Sequence, residues 1–452
     1  MNTRTTSVWL FLIGLFSETR INIIGSIGIS EALVFIMAPF IFIQDIELLR
    51  RDKFMPAIYW AFSAIIGCLF SCWWNETPFG AAIRGVATAY SVFAIPVVLH
   101  HFLRRNIMGF RWMLLGCAIS GIITIFGFHN ATEVYQYSGG AVTSSTTSDI
   151  MGGQLFGLSH FGMWPTLPTM GWYLSTPSVY AIISPLILTG YTVFSSASGR
   201  AAILNAILSS VLIFIGTKSR KRMKMLQTNL WYIFAFCIFI GLFVGMAYKF
   251  AGQKGWLNKD AQKKYEAQME KSDNSFNPLK VIMAGRLEFF CGMYACLRSP
   301  IVGYGPWAID NEGLYEEFLR KYGAPEDYDN YSRYQMDLMR YVGRRRVGLI
   351  PAHSYLIAFW LHFGILGLPY WLYVIYVVIQ FFRHYVSIVP QFYGYLVLFA
   401  ASFLWDVFFS PFAARMGFGL FLTIILLTRA IGTGRLPIPL QVEIEAQRYD
   451  KL

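Results

Sequence analysis

The chain has few charged residues, and outside one segment it has few acidic ones. Only 14% of its 452 residues are charged, while 56% are hydrophobic, whereas ordinary soluble domains carry about 25% charged residues. This composition excludes a typical soluble domain. Runs of about ten residues with alternating polarity, the signature of a transmembrane β-barrel, are also missing from the sequence. Segments of roughly 20 apolar residues recur instead, and each is long enough to cross a hydrocarbon core of about 30 Å as a helix.

Patterns for disulfides and metal ions are missing as well. The six cysteines form neither a disulfide framework nor a metal-ligand spacing; they are Cys68, Cys72, Cys117, Cys237, Cys291 and Cys296. Asp327 and Asp329 come nearest to a pair of carboxylates for magnesium, but the Tyr, Asn, Pro and Gly residues around them indicate a loop. We therefore expect no metal ion and no other cofactor.

The apolar segments and the basic loops together predict a topology. The segments predict helices near residues 8–26, 30–48, 56–74, 80–103, 109–127, 174–194, 200–217, 229–250, 364–382, 391–409 and 416–431. Basic residues in short loops mark the cytoplasmic side; these are Arg50 to Lys53, Arg104 and Arg105, Lys218 to Lys224, and Arg383. The two patterns agree only if the chain also crosses at residues 150–172, a segment interrupted by glycines and by Pro165 and Pro168.

The sequence thus predicts an all-α integral membrane protein with about 12 transmembrane helices and a large, partly helical loop on the outer side. The expected parts are N-terminal transmembrane helices in 1–249, the loop in 250–363, C-terminal transmembrane helices in 364–431 and a cytoplasmic tail in 432–452. The net charge of +12 comes largely from the basic loops, which set topology and attract anionic membrane lipids. We expect no nucleic-acid partner.

The large loop concentrates the polar chemistry of the chain. Residues 250–352 contain 13 of the 25 acidic residues. Gly303, Gly305 and Pro306 predict a tight turn after an apolar-periodic helix that Arg286 heads. This asymmetry favours an enzyme that works at a membrane surface over a channel.

Three arginines near the outer face are candidate ligands for a phosphate group. Arg200 opens a predicted helix, Arg286 heads a predicted helix of the loop that runs to about Leu297, and Arg84 lies near the outer end of the fourth helix. A guanidinium binds phosphate oxygens in a bidentate, planar geometry. The alternative for each arginine is snorkelling to the interface or an ion pair, for example between Arg286 and Glu288.

His353 is the candidate proton acceptor. It follows Pro351 and opens an apolar segment, and histidine, with an ordinary pKa of about 6.5, is the natural base near neutral pH. The alternative is a hydrogen-bonding residue at the membrane interface. We expect His100, His101 and His362 to be packing or interface residues.

These motifs resemble the shared core of the bacterial O-antigen ligase and polymerase family. The resemblance rests on Gly285-Arg286, on Ser299-Pro300-Ile301-Val302-Gly303-Tyr304-Gly305, on His353-Ser354-Tyr355-Leu356, on Gly364-Ile365-Leu366-Gly367 and, upstream, on Ser198-Gly199-Arg200-Ala201. Together they extend over residues 195–370. Ser354 stands where the family commonly has asparagine.

The resemblance implies a GT-C-like inner-membrane glycosyltransferase that acts on the periplasmic side without a metal ion. The donor would be a glycan linked to undecaprenyl diphosphate, and the acceptor would be another lipid-linked glycan for a polymerase or lipid A-core for a ligase. Arg200 and Arg286 would hold the donor diphosphate, with Arg84 as a further candidate from the residues alone. His353 would activate the acceptor hydroxyl.

The sequence leaves open the choice between polymerase and ligase, and it also allows functions other than glycosyl transfer. Five tyrosines suited to stacking on sugars favour polymerase over ligase; they are Tyr315, Tyr322, Tyr328, Tyr331 and Tyr334. A transporter or flippase for a lipid-linked or other anionic substrate is the main alternative, although it calls for ionisable groups at the bilayer midplane, where Asp406 is the main candidate. A structural scaffold is the third.

Overall fold

The computed structural model describes most of the N-terminal quarter of the chain, parts of the large loop and two C-terminal helical segments. The described residues are 3–17, 20–22, 26–125, 246, 249–256, 262, 265–266, 287–308, 310, 312–322, 350–352, 354–385, 400, 403–404, 406–408, 412 and 415–435. Apart from one short strand pair, the regular structure in these ranges is helical.

Five of the described helical segments are long and apolar enough to cross a membrane, as a multi-pass membrane protein requires. They are Ile29–Arg51, Met55–Trp74, Phe79–Arg105, Tyr355–His384 and Arg415–Gly432. We call the first three α2, α3 and α4. The helices predicted at 174–194, 200–217 and 229–250 and the crossing predicted at 150–172 lie outside the described residues, except for the end of the third.

The N-terminal helix differs from its prediction at 8–26. Helix α1 spans Thr3–Leu15, and strands β1 (Arg20–Asn22) and β2 (Ser26–Gly28) then form an antiparallel pair with Arg20 opposite Gly28. Polar residues and Gly25 interrupt the apolar pattern after Phe16, so the chain turns back before α2. Helix α5 (Phe110–Ile125) packs on α1, where a Cβ atom placed on Gly14 would lie 2.1 Å from the carbonyl oxygen of Met113. Small residues permit this close approach of two backbones.

The last described helix, α10 (Arg415–Gly432), runs in the same direction as α2. Glu31 near the start of α2 lies 3.8 Å from Arg415. At the other end, Nε of Arg51 donates a hydrogen bond to the carbonyl oxygen of Arg435 at 3.2 Å. Helix α4 runs in the opposite direction, because Arg104 at its end contacts Asp52 just after α2.

These contacts define two ends of the bundle. We call the end with Arg51, Asp52, Arg104 and Arg435 the basic end, and the end where α3 finishes and α4 begins the loop end. Three exposed aromatic residues, Trp73, Trp74 and Phe79, lie at the loop end, and such residues are enriched at membrane–water interfaces.

The helix predicted at 364–382 begins earlier, at Tyr355. Ser354 caps it, since its hydroxyl accepts a hydrogen bond from the amide of Ile357 at 3.1 Å. Helix α8 (Tyr355–Phe363) passes through a 3₁₀ turn at Gly364–Gly367 into α9 (Leu368–Gln380) and a π-helical turn at Phe381–Tyr385. The described spans are thus the segments that the apolar pattern predicts, with shifted ends.

Candidate active site

Helix α6 (Leu287–Arg298) packs against the segment that leads into α8. A Cβ atom placed on Gly292 would lie 2.8 Å from the carbonyl oxygen of Pro351 and 3.5 Å from Cα of Ala352. Further along, the thiol of Cys296 lies 3.8 Å from the carbonyl oxygen of Ile357. The two helices therefore enclose a small apolar core between them.

A tight turn follows α6 in the sequence and contacts α8 through a backbone hydrogen bond. The amide of Gly303 donates to the carbonyl oxygen of Ser299 at 3.0 Å, and the amide of Tyr304 donates to that of Leu361 at 2.7 Å. Gly303 has φ +73° and Gly305 has φ +80°, a region that glycine adopts without the steric cost of a Cβ atom. The turn predicted at Gly303, Gly305 and Pro306 is confirmed.

The same turn docks onto the loop end of the bundle. A Cβ atom on Gly85 of α4 would lie 2.0 Å from Cγ of Pro306, and one on Gly305 would lie 2.5 Å from the hydroxyl oxygen of Thr77. The side-chain amide of Asn75 donates to the carbonyl oxygen of Gly303 at 3.4 Å. Glycine on both sides of the contact lets the loop reach the helices directly.

Of the predicted site residues, the structure describes Arg84. Its side chain is exposed one residue before Gly85, and in the described part of the chain no carboxylate oxygen lies within 4.0 Å of its guanidinium. Arg200, Arg286 and His353 lie outside the described residues. Their immediate neighbours Leu287, Ala352 and Ser354 are described.

The segments next to Arg286, His353 and Arg84 are distant in sequence but pack against one another. Helix α6, which begins directly after Arg286, contacts Pro351 and Ala352, which directly precede His353. The turn after α6 contacts α4 beside Arg84. The segments that adjoin three of the four predicted site residues thus form one packed unit at the loop end.

A cluster of aromatic and charged side chains lies on the exposed side of α6. Arg298 is 2.7 Å from the carboxylate of Glu317, and the hydroxyl of Tyr294 donates to the same oxygen at 2.6 Å. The Tyr294 hydroxyl, together with the positive charge of Arg298, lowers the pKa of Glu317. Glu317 belongs to α7 (Leu314–Tyr322), whose first amides donate to Asp310 at 2.7 and 2.9 Å.

Three other groups near α6 are held in their neutral forms. Burial raises the pKa of Tyr304 to about 12, with a further contribution from the charge of Glu312. Burial also raises the pKa of the Cys291 and Cys296 thiols. Since a thiolate is the nucleophilic form of cysteine, neither thiol is prepared for nucleophilic chemistry.

The basic end contains a group of buried charged residues that the sequence pattern did not predict. Asp52 lies 3.0 Å from Nε2 of His100 and accepts a hydrogen bond from Nε of Arg104 at 2.6 Å. About two helical turns before Asp52, Asp45 is 2.6 Å from Nδ1 of His101. Asp45 also lies 3.5 Å from Arg105, and both carboxylates are buried.

The expectation that His100 and His101 are packing or interface residues did not include the carboxylates that they contact. A signal was present in the sequence. His100 and Arg104, like His101 and Arg105, are four positions apart, which places each pair on one face of a helix. Asp45 and Asp52 are seven positions apart on the neighbouring segment, about two turns of a helix.

Among the described residues, no three His, Cys, Asp or Glu side chains are grouped as a metal ion would need. Asp327 and Asp329 lie outside the described residues. Comparison with models of protein families, with curated proteins and with solved structures finds no match to this chain.

Proposed function

We propose that this protein is an inner-membrane glycosyltransferase that moves a glycan from undecaprenyl diphosphate to an acceptor, without a metal ion. In this proposal about 12 helices cross the membrane, and the reaction takes place on the periplasmic side. The sequence motifs between Ser198 and Gly367 are the basis of the proposal. The single structural observation that supports it best is the contact of Gly292 in α6 with Pro351 and Ala352.

The contact matters because two chemical tasks must meet at one anomeric carbon. The acceptor oxygen forms a bond to that carbon while the bond from the carbon to the diphosphate oxygen breaks. Arg286 and Arg200, with Arg84, would stabilise the negative charge on the departing undecaprenyl diphosphate. His353 would take the proton from the acceptor hydroxyl. A helix that begins at Leu287, directly after Arg286, and packs against the residues before His353 suits this arrangement.

The expected contributions are large enough to measure. Removing one positioned donor to a developing negative charge typically costs about 2.7–4 kcal/mol of transition-state stabilisation, or roughly 10²–10³ in rate. General-base catalysis contributes about 10²–10⁴. Since arginine supplies positive charge by itself, we expect glycan transfer to continue in excess EDTA. Loss of transfer in EDTA, with recovery on adding magnesium, would favour a metal site at Asp327 and Asp329.

The main test separates the roles of Arg286 and His353. The full-length protein in lipid nanodiscs is given a synthetic glycan on undecaprenyl diphosphate, and donor affinity and transfer rate are measured separately. His353→Ala should lower the transfer rate and leave donor affinity nearly unchanged, whereas Arg286→Ala should lower both. Arg286→Lys should restore little, because an ammonium group lacks the planar geometry of guanidinium.

A matched control comes from an arginine of the same loop. Arg320 of α7 lies 2.9 Å from Glu316 in an exposed ion pair, and Arg320→Gln should leave both measured quantities unchanged. Equal loss of donor affinity in His353→Ala and Arg286→Ala would contradict the assignment of His353 as base. Transfer at the wild-type rate in Arg286→Ala would contradict the proposed diphosphate site.

The same assay distinguishes polymerase from ligase through the acceptor. We favour polymerase because the described part of the loop presents several tyrosines. Tyr322 is 56% exposed, and its ring centroid lies 6.2 Å from that of Tyr294, so the pair offers a surface on which sugars stack. Products of increasing length from the lipid-linked glycan alone would support polymerase. Products formed only with lipid A-core would support ligase.

A transporter is the second candidate, and the buried ion pairs at the basic end are the observation in its favour. Ionisable groups inside a membrane protein commonly mark transport pathways. His100, however, is five residues from the end of α4 at Arg105, or about 7.5 Å along a helix, and hence near a membrane face. Movement of intact donor across a vesicle membrane, with no new glycosidic bond, would favour the transporter.

A further inference from the structure

The basic end contains two kinds of cation, and the structure separates them. Arg104 and Arg105 contact the buried carboxylates of Asp52 and Asp45. Arg50 pairs with Glu47 on the surface at 2.7 Å. The described carboxylates at this end are thereby already paired with cations.

Three further cations at the same end have no such partner. They are Arg51, Lys53 and Arg435, and in the described part of the chain none of them lies within 4.0 Å of a carboxylate oxygen. Arg51 and Arg435 are 384 positions apart in sequence, but the 3.2 Å hydrogen bond from Nε of Arg51 to the backbone of Arg435 holds them together. Lys53 is the second residue after the end of α2, with φ +60°.

The surface at the basic end combines cations with exposed apolar side chains, which match the charged headgroup and the acyl chains of a phospholipid. Further along α2 and α3 from the cations, Phe40, Ile43 and Tyr59 are exposed apolar or aromatic side chains. A bilayer crossed by α2 and α10 places its headgroup layer where these helices end, next to Arg51 and Arg435. A phosphate there would meet the cations, while the acyl chains would cover the exposed apolar residues.

We propose that Arg51, Lys53 and Arg435 bind the headgroup phosphate of an anionic phospholipid at the basic end of the bundle. Guanidinium groups are well suited to phosphate oxygens because of their planar arrangement of donors. Basic residues next to membrane helices also attract anionic lipids. The exposed apolar residues favour a lipid over free phosphate, which has no use for them.

The test measures lipid binding to the full-length protein in detergent by native mass spectrometry. The two probes are phosphatidylglycerol, which is anionic, and phosphatidylcholine, which is zwitterionic. We expect the variant with Arg51→Gln, Lys53→Gln and Arg435→Gln together to bind phosphatidylglycerol at least ten-fold more weakly, with little change for phosphatidylcholine. Each single substitution should weaken binding about five-fold.

The matched control replaces the neighbouring ion pair. Glu47→Gln together with Arg50→Gln removes a cation from the same helix turn without changing the net charge, and phosphatidylglycerol binding should be unchanged. Arg51→Lys keeps the charge and should weaken binding less than Arg51→Gln. If the triple variant does not fold, the single variants supply the same comparison.

Three results would overturn the proposal. The first is wild-type phosphatidylglycerol binding by the triple variant or, if that variant does not fold, by every single variant. The second is an equal loss in the Glu47/Arg50 control. The third is displacement of the lipid by millimolar inorganic phosphate, which would make the site one for a free anion.

Discussion

The two ends of α4 are held in place by different means. At its C-terminal end, His100 and Arg104 share the carboxylate of Asp52, whose side chain is fully buried. At its N-terminal end, Gly85 lets the ring of Pro306 approach so closely that a Cβ atom would overlap with it. One end depends on paired charges and the other on the absence of a side chain.

The difference shows how the surroundings decide what a charge contributes. Buried ion pairs are not strong evidence of stability by comparison with an apolar core, but breaking one leaves a charge buried without a partner. The ion pair between Arg298 and Glu317 in the large loop is, by contrast, about half exposed on both partners. Water solvates either partner of such a pair when the other is removed.

Removal of the Asp52 carboxylate should have the largest effect. Asp52→Ala leaves His100 and Arg104 without their shared partner, and we expect a loss of about 3–5 kcal/mol in the free energy of unfolding. The measurement is reversible unfolding in mixed micelles. Glu47→Ala, in the last turns of α2 before Asp52, is the control, since its partner Arg50 is exposed, and its effect should be small. Equal effects of the two substitutions would contradict the role assigned to burial.

A side chain at Gly85 should have the next largest effect. Gly85→Ala places Cβ against the rigid ring of Pro306, and overpacking of this kind typically costs about 1–3 kcal/mol. Gly80, one turn earlier in α4, has no atom within 4 Å of its added Cβ position. Gly80→Ala should therefore be neutral or stabilising, by up to about 1 kcal/mol. The melting temperatures of the two variants test this difference. Similar melting temperatures would show that Pro306 moves away from the added methyl group at little energetic cost.

The exposed pair should give the smallest effect, and it should depend on pH. The pKa of Glu317 is lowered below 4.5 by the Tyr294 hydroxyl and by Arg298. Its contribution to stability is therefore fully present above pH 4.5 and is lost as the pH falls through the lowered value. Glu317→Gln should reduce the melting temperature slightly at pH 6. It should have no effect once the pH is below both the ordinary pKa of 4.5 and the lowered pKa of the folded protein. A difference that persists at the lowest pH would mean that packing, and not charge, is what the substitution changes.

The apolar pattern predicted the described spans well. The predictions at 30–48, 56–74, 80–103 and 416–431 correspond to Ile29–Arg51, Met55–Trp74, Phe79–Arg105 and Arg415–Gly432. A long apolar run needs no knowledge of its neighbours, because the bilayer demands internally bonded backbone whatever surrounds it. The predictions at 8–26 and 364–382 erred at their ends, where a strand pair and the cap at Ser354 set the boundaries.

The candidate site was predicted only in part. The turn at Gly303 and Gly305 follows from local chemistry, because a position with positive φ favours glycine. The contact of Gly292 with Pro351 does not follow from any local pattern, because the two residues belong to different segments of the loop. The proposed roles of Arg200, Arg286 and His353 stay predictions from the motifs.

The sequence by itself determined that the chain forms long apolar helices, where its tight turns fall and which loops are basic. These properties depend on single residues and on near neighbours in the chain. Only the tertiary structure decided that Asp52 meets His100 and Arg104, that Pro306 lies against Gly85 and that Arg51 reaches Arg435. Each of these pairs is distant in sequence, and its energy depends on whether water is excluded, which is a property of the packed molecule.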